Sequence, residues 1–267
     1  SGYCFSKLNK GNKMAYKLDQ DLEFLQYMGS ESLDSLVEIL IRDKDGELRF
    51  TESITSNDLY KRFVPQHSKY WELIAAELQS FGGNSFVNVF RGGGVQYKEI
   101  LCEVCDKMNV NYNENSKVIN IEQNLFMKIL EDAMKDMSAE ELKSIVEELN
   151  LKTQTYTSQA VMAAMQIAIK QSGFFVYKMA AIIVNAVLKA LFGRGLTLAG
   201  TGLMMRSISA FAGPVGWAIT AAWTAYDVAG PAYRVTIPAV IQVAFLRQQY
   251  INKNMIEEEE IRNDSSK

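Results

Sequence analysis

Two cysteines in the first half of the chain, Cys102 and Cys105, have the C-x-x-C spacing of half a zinc site or of a redox pair. A structural zinc site needs four ligands. The sequence has no second pair at such a spacing, and its one histidine, His67, is distant in the chain. We therefore expect the two cysteines to be small core residues of a helix, and we expect no metal and no cofactor.

Other residue types that serve enzymes lack the neighbours they would need. His67 has no marked nucleophile or acid beside it, so a surface or helix-capping role is expected. The glycine-rich segments 91–94 and 193–195 could cradle a phosphate, but neither follows a strand, and the motifs GxxxxGK[ST] and GxGxxG are both absent. The sequence predicts a protein that is not an enzyme.

Charge is divided unevenly along the chain, whose net charge is −3. Residues 1–151 carry 25 acids and 17 bases, whereas residues 152–250 carry eight bases and a single acid, Asp227. Such a basic segment favours an acidic partner, either membrane headgroups or the acidic half of the same protein, and both stay open. Nucleic acid is not expected as a partner, because the bases are dispersed in an apolar setting.

Apolar residues recur at three- and four-residue spacing through most of the chain, which is typical of helices. A mainly α fold is predicted, with a multi-helix N-terminal region and at most one small β-hairpin, packed on an apolar C-terminal helical hairpin group. Shifts in composition divide the chain into five parts: an arm or cloning remnant (1–13), a small helical domain (14–62), a second helical domain (63–151), an apolar basic helical segment (152–250) and a charged tail (251–267).

Glycines are expected to reverse the chain twice around one short helix. Gly82 and Gly83 should end the helix that begins near Trp71, since glycine suits the left-handed conformation at a helix end. The second turn comprises Arg91, Gly92, Gly93 and Gly94. The two turns would bring helix 71–81 against helix 95–108, and the exposed loop is a second candidate for contact with a partner.

The apolar segment is too interrupted for an ordinary transmembrane helix. Its longest uncharged run, residues 207–226, contains Gly213-Pro214, and a helix starting at Pro214 would be about 23 Å long against about 30 Å of hydrocarbon. Two short apolar helices around a glycine-rich turn nevertheless resemble a hairpin that inserts conditionally. A buried core and conditional or peripheral membrane binding both stay open. The bases that would face lipid are Lys178, Lys189, Arg194 and Arg206.

Asp227 is the lone carboxylate of this basic segment, and an isolated buried charge is costly. We expect it to pair with Arg234, since Gly230-Pro231 can fold the next helix back; Arg206 and Lys189 come next. A pH switch is the functional alternative, in which protonation of Asp227 eases insertion into an acidic membrane surface. The third hypothesis is that Asp227 is simply exposed to solvent.

Several blocks of the sequence resemble a known family. Residues 71–101, the GPVG at 213–216 and residues 229–247 resemble the YaaW family of uncharacterised bacterial proteins, and residues 21–49 resemble the small domain that often accompanies it. The middle block is also distantly similar to the ubiquinol–cytochrome c chaperone family. That similarity implies a helical, non-enzymatic, partner-binding role near a membrane, with residues 63–151 as the chaperone-like domain.

The function expected from these observations is that of a non-catalytic interaction or chaperone-like protein. It would dock a protein partner in the cytoplasm, at the periphery of the inner membrane, and self-association is compatible with the sequence. The alternative is a membrane-inserting or pore-forming effector that uses residues 174–250.

Overall fold

The computed structural model describes residues 16–42, 47, 54–85, 95–195, 216, 218–220, 223 and 233–264. No β-strand occurs among these residues, and the predicted mainly α fold is confirmed. Two short 3-10 helices span Glu23–Tyr27 and His67–Tyr70. The α-helices are α1 (Ser30–Ile41), α2 (Asp58–Phe63), α3 (Trp71–Ser85), α4 (Tyr97–Lys107), α5 (Val118–Met134), α6 (Ala139–Glu148), α7 (Ser158–Gln171), α8 (Gly173–Phe192) and α9 (Tyr233–Asp264).

The first half of α9 is the central helix of the fold. Its residues 235–246 are buried all round, and it packs against α8, α1, α4, α3 and α5. A helix that is apolar on every face must be covered on every face, which explains why the N-terminal helices close over the C-terminal group as the sequence indicates. The sequence predicts an end near Tyr250, but α9 continues through the charged tail to Asp264, since glutamate is a good helix former.

Helix α8 is the second core helix and packs on α9, α5 and α7. Its N-terminus is capped by Ser172, whose side chain accepts from the amide of Phe175. Gly193 ends it in the left-handed conformation with φ of 68°, which an L side chain rarely adopts. The sequence predicts a helix over 174–192, separated from the preceding helix by Ser172-Gly173, and both bounds agree with α8 within one residue.

The prediction that Gly82 and Gly83 end a helix is wrong, because both lie inside α3, which continues to Ser85. Each internal glycine costs about 1 kcal/mol relative to alanine. Tertiary packing of the apolar face of α3, including the buried Ile74 and Leu78, outweighs that cost. The second proposed turn, Arg91 with Gly92, Gly93 and Gly94, lies outside the described residues.

Candidate functional site: a groove between two helices

A groove runs between α5 and α7, with a cavity volume of about 990 Å³. Amide side chains make up much of its polar lining: Asn109, Asn111, Gln123, Asn124, Gln159 and Gln166. An amide both donates and accepts hydrogen bonds. The lining can therefore satisfy the N–H and C=O groups of a segment of another protein without demanding one sequence.

The apolar part of the groove consists of Met127, Met162, Ala163 and Ile169. Met162 is half-buried against the core, and Ala163 is exposed at the rim. Methionine is unbranched and polarisable, and it adapts to apolar partners of different shape. The groove thus combines adaptable apolar contacts with adaptable hydrogen bonding.

Two hydrogen bonds at the start of α7 hold one end of the groove. Ser158 Oγ at the start of α7 donates to the carbonyl of Met134 at the end of α5, at 2.8 Å. Thr157 caps α7 by accepting from the amide of Ala160. These contacts fix where α7 departs from α5 and therefore where the groove opens.

The charges at the groove are mainly cationic. Lys128 Nζ lies 2.9 Å from an Asp132 carboxylate oxygen, and Lys135 also pairs with Asp132. Lys170 and Glu131 complete the charged lining, and Lys170 has no ion-pair partner among the residues the structure describes. The groove is suited to an uncharged or mildly acidic segment.

A second recess of about 610 Å³ lies beside α4, and carboxylates dominate it. Its acidic residues are Asp21, Glu99, Glu103, Asp106 and Glu114. Glu103 accepts a hydrogen bond from the hydroxyl of Tyr233 at 2.9 Å, and burial raises the pKa of its carboxyl. Within the described part of the chain, no group of three or more His, Cys, Asp or Glu is placed to hold a metal ion.

The two cysteines at C-x-x-C spacing sit on α4 as core residues. Cys105 is fully buried and Cys102 is half-buried, and both are free thiols. Burial raises the pKa of both. Since the thiolate is the reactive form, both thiols are weak nucleophiles at neutral pH.

His67 is buried, so the expectation of a surface or capping histidine is wrong. Its Nε2 lies 3.2 Å from Oδ1 of Asp34 on α1, and its Nδ1 meets the Tyr70 hydroxyl. Tyr70 is itself buried. The trio joins the N-terminal segment to the rest of the fold, and the sequence does not show it because Asp34 is far away in the chain.

A buried ion pair, also missed by sequence reasoning, connects four segments of the chain. Nε of Arg247 on α9 lies 2.9 and 3.1 Å from the two carboxylate oxygens of Glu122 on α5. The Tyr97 hydroxyl donates to Glu122 at 2.8 Å, and an Arg247 amino group donates to the Asp21 carbonyl at 2.7 Å. Burial raises the pKa of Glu122, and the arginine opposes that shift.

The charged residues singled out in the basic segment do not form one site. Arg194 pairs with Glu38 on α1, and Lys178 is half-buried with a pKa lowered by burial. Lys189 and Arg234 are exposed on α8 and α9. Asp227 and Arg206 lie outside the described residues, so the pairing of Asp227 with Arg234 stays a prediction.

Among the described helices, α8 is long and apolar enough to cross a membrane by length and composition, with a mean hydropathy of 1.7. The same stretch is 67% buried inside the protein. Core helices of soluble proteins share this composition.

Comparison with known proteins identifies relatives over most of the chain. Residues 66–241 match the ubiquinol-cytochrome C chaperone family, and residues 16–50 match a domain of unknown function. A UPF0174 protein of Helicobacter pylori is 52% identical over 235 residues, which cover 88% of this chain and 93% of that protein. UPF0174 protein YaaW of Escherichia coli is 32% identical over 238 residues, which cover 87% and 95%. No solved structure matches the chain.

Proposed function

Because this chain belongs to the UPF0174 family, with YaaW of Escherichia coli among its relatives, we propose that it holds a segment of a protein partner in the groove between α5 and α7. The match to a chaperone family supports a chaperone-like, non-catalytic role in general.

The observation that carries this proposal is the chemistry of the groove. Amide side chains and methionines line a recess of about 990 Å³, and it lies within residues 66–241, the part that matches the chaperone family. Its long wall, α5, has 17 residues and is about 25 Å long. A helical or extended segment that buries apolar side chains on methionine and exposes its polar edge to amides fits such a wall.

We further propose that the protein works in the cytoplasm at the periphery of the inner membrane. The described residues 152–195 contain no carboxylate, and three of their cations, Lys152, Lys170 and Lys189, are exposed. Exposed cations are attracted to anionic lipid headgroups. A partner that assembles at a membrane would then be held near that surface.

Insertion of residues 174–250 into a bilayer is a second candidate function, favoured by the length and hydropathy of α8. It would require α8 to leave α9, against which it packs. Release of a trapped dye from anionic vesicles would support insertion, whereas vesicle binding without release would count against it.

The groove can be tested by photo-crosslinking in cells, with a photoreactive amino acid in place of Gln159. We expect this position to crosslink to a defined protein partner, and the crosslink should be lost when Ala163→Trp fills the groove. Ala139→Trp, at an exposed position on α6, is the matched control and should leave the crosslink intact. A crosslink that is indifferent to Ala163→Trp would refute the groove as the binding site.

A further inference from the structure

Exposed apolar side chains gather around the turn between α7 and α8. Ile167 is 56% exposed near the end of α7, Phe174 is 36% exposed at the start of α8, and Met255 on α9 is 44% exposed. A Cβ added at Gly173 would lie 3.7 Å from the Met255 sulfur, which places Met255 beside this turn.

A lysine lies at the same turn as these apolar side chains. Lys170 lies in the last turn of α7 and is exposed. The segment around it, residues 152–195, carries no carboxylate. Apolar side chains with an adjacent lysine are typical of surfaces that enter the boundary between headgroups and acyl chains, because the lysine stem lies along apolar surface while its ammonium reaches the phosphates.

We propose that this tip, defined by Ile167, Lys170, Phe174 and Met255, is the part of the protein that contacts an anionic lipid bilayer. The inference rests on the proposed membrane location and specifies the face that achieves it. It differs from the sequence-based candidates, since Lys178 is half-buried and Arg194 pairs with Glu38.

The size and charge of the tip favour lipid over a protein partner or a second copy. A stable protein interface buries about 800 Å² on each partner, whereas the apolar part of the tip consists of three partly exposed side chains. A few side chains of this kind suffice for reversible binding to a membrane when basic residues assist.

An exposed glutamate beside the tip determines which side of the tip faces the bilayer. Glu258 is exposed one helical turn beyond Met255, and its charge is repelled by anionic headgroups. The tip therefore approaches the bilayer with its α7–α8 side. Because Lys170 and Ile169 also line the groove, a segment held there would lie next to the membrane.

The test is flotation of the full chain with vesicles of phosphatidylcholine and phosphatidylglycerol, compared with phosphatidylcholine alone. We expect binding to the anionic vesicles, a loss of about fivefold for Lys170→Gln and of more than about tenfold for Ile167→Ser combined with Phe174→Ser. Glu258→Gln should strengthen binding. Val64→Ser and Lys143→Gln, at exposed positions elsewhere, are the matched controls.

Any other result of the flotation test contradicts at least one specific proposal. A parent chain that binds neither vesicle overturns both the tip and the membrane location, but leaves the groove to its own crosslinking test. A parent that binds while the tip variants bind equally well overturns the tip alone. If the tip variants instead convert a dimer to a monomer in light scattering, the tip is a contact between two copies and the lipid proposal fails. Unchanged circular dichroism of the variants establishes that they fold.

Discussion

Arg247 and Glu122 are 125 residues apart in the chain, yet Nε of the arginine lies within 3.1 Å of both carboxylate oxygens. Arg247 belongs to the basic C-terminal segment and Glu122 to the acidic N-terminal half. Together with the pair between Arg194 and Glu38, this contact shows that part of the charge asymmetry is matched inside the molecule. The acidic partner of the basic segment is thus in part the protein itself.

Replacing Arg247 with methionine should lower the free energy of unfolding by about 3–5 kcal/mol, because Glu122 would keep a buried charge without its cation. Replacing both, with Glu122→Gln added, should cost less than Arg247→Met alone. Urea unfolding followed by circular dichroism measures both. Arg42→Met, which removes a partly exposed pair with Glu38, should cost less than about 1 kcal/mol. Equal losses at the two arginines would contradict the importance of the buried pair.

Asp34 and Asp21 should influence acid stability with opposite signs. The hydrogen bond from His67 lowers the pKa of Asp34 below its usual 3.8, so its stabilising effect is present above that value and is lost as the pH falls through the lowered pKa. Burial raises the pKa of Asp21 above 3.8, so its contribution is present below that value and is lost as the pH rises through the raised pKa.

The measurement is the melting temperature at neutral pH and near pH 3. Asp34→Asn should make the loss of stability on acidification smaller, because the variant has no charge to lose there. Asp21→Asn should make that loss larger. Identical pH dependence in the parent and both variants would rule out these assignments.

Cys105 should resist alkylation in the native protein, and Cys102 should react slowly, since burial raises the pKa of both thiols and the thiolate is the nucleophile. Iodoacetamide labelling resolved by mass spectrometry tests this for each cysteine. Both should label fully in urea. Rapid native labelling of Cys105 would show that α4 is not packed as described.

Gly193→Ala should destabilise the protein by about 1 kcal/mol or more, because φ of 68° at the end of α8 is strained for an L side chain. Gly173→Ala is the matched control, since Gly173 has no positive φ and an added Cβ would make only ordinary van der Waals contact with Met255. Thermal unfolding of both variants distinguishes strain from a general effect of alanine. A loss at Gly173 as large as that at Gly193 would argue against the strain.

Local signals predicted much of the helical framework. Ser138 and Glu141 have the spacing of a capping box, which predicts a helix start there, and α6 begins with that capping box. The break at Ser172-Gly173 separates α7 from α8. Capping patterns are not always decisive: the spacing from Thr55 to Asp58 predicts a helix cap at Thr55, but Asn57 caps α2. Thr55 and Asn57 could each cap this helix, and the packing of the folded chain determines which of them does.

Features built from distant residues could not be predicted in the same way. The pairing of Arg247 with Glu122 and of His67 with Asp34 depends on which helix faces which, and periodicity gives only the face of each helix. The groove likewise exists only where α5 and α7 meet. Its methionines and amides form no motif in the sequence. They line a common surface only because α5 and α7 pack beside each other.

The central claim, that the groove between α5 and α7 holds a segment of another protein, is tested most directly by methionine methyl NMR. The titrant is a synthetic amphipathic peptide with leucines on one helical face and glutamines on the other. The account predicts shifts at Met127 and Met162, which line the groove, with little change at the fully buried Met134 and Met165. Shifts that spare Met127 and Met162, or none at saturating peptide, would contradict it.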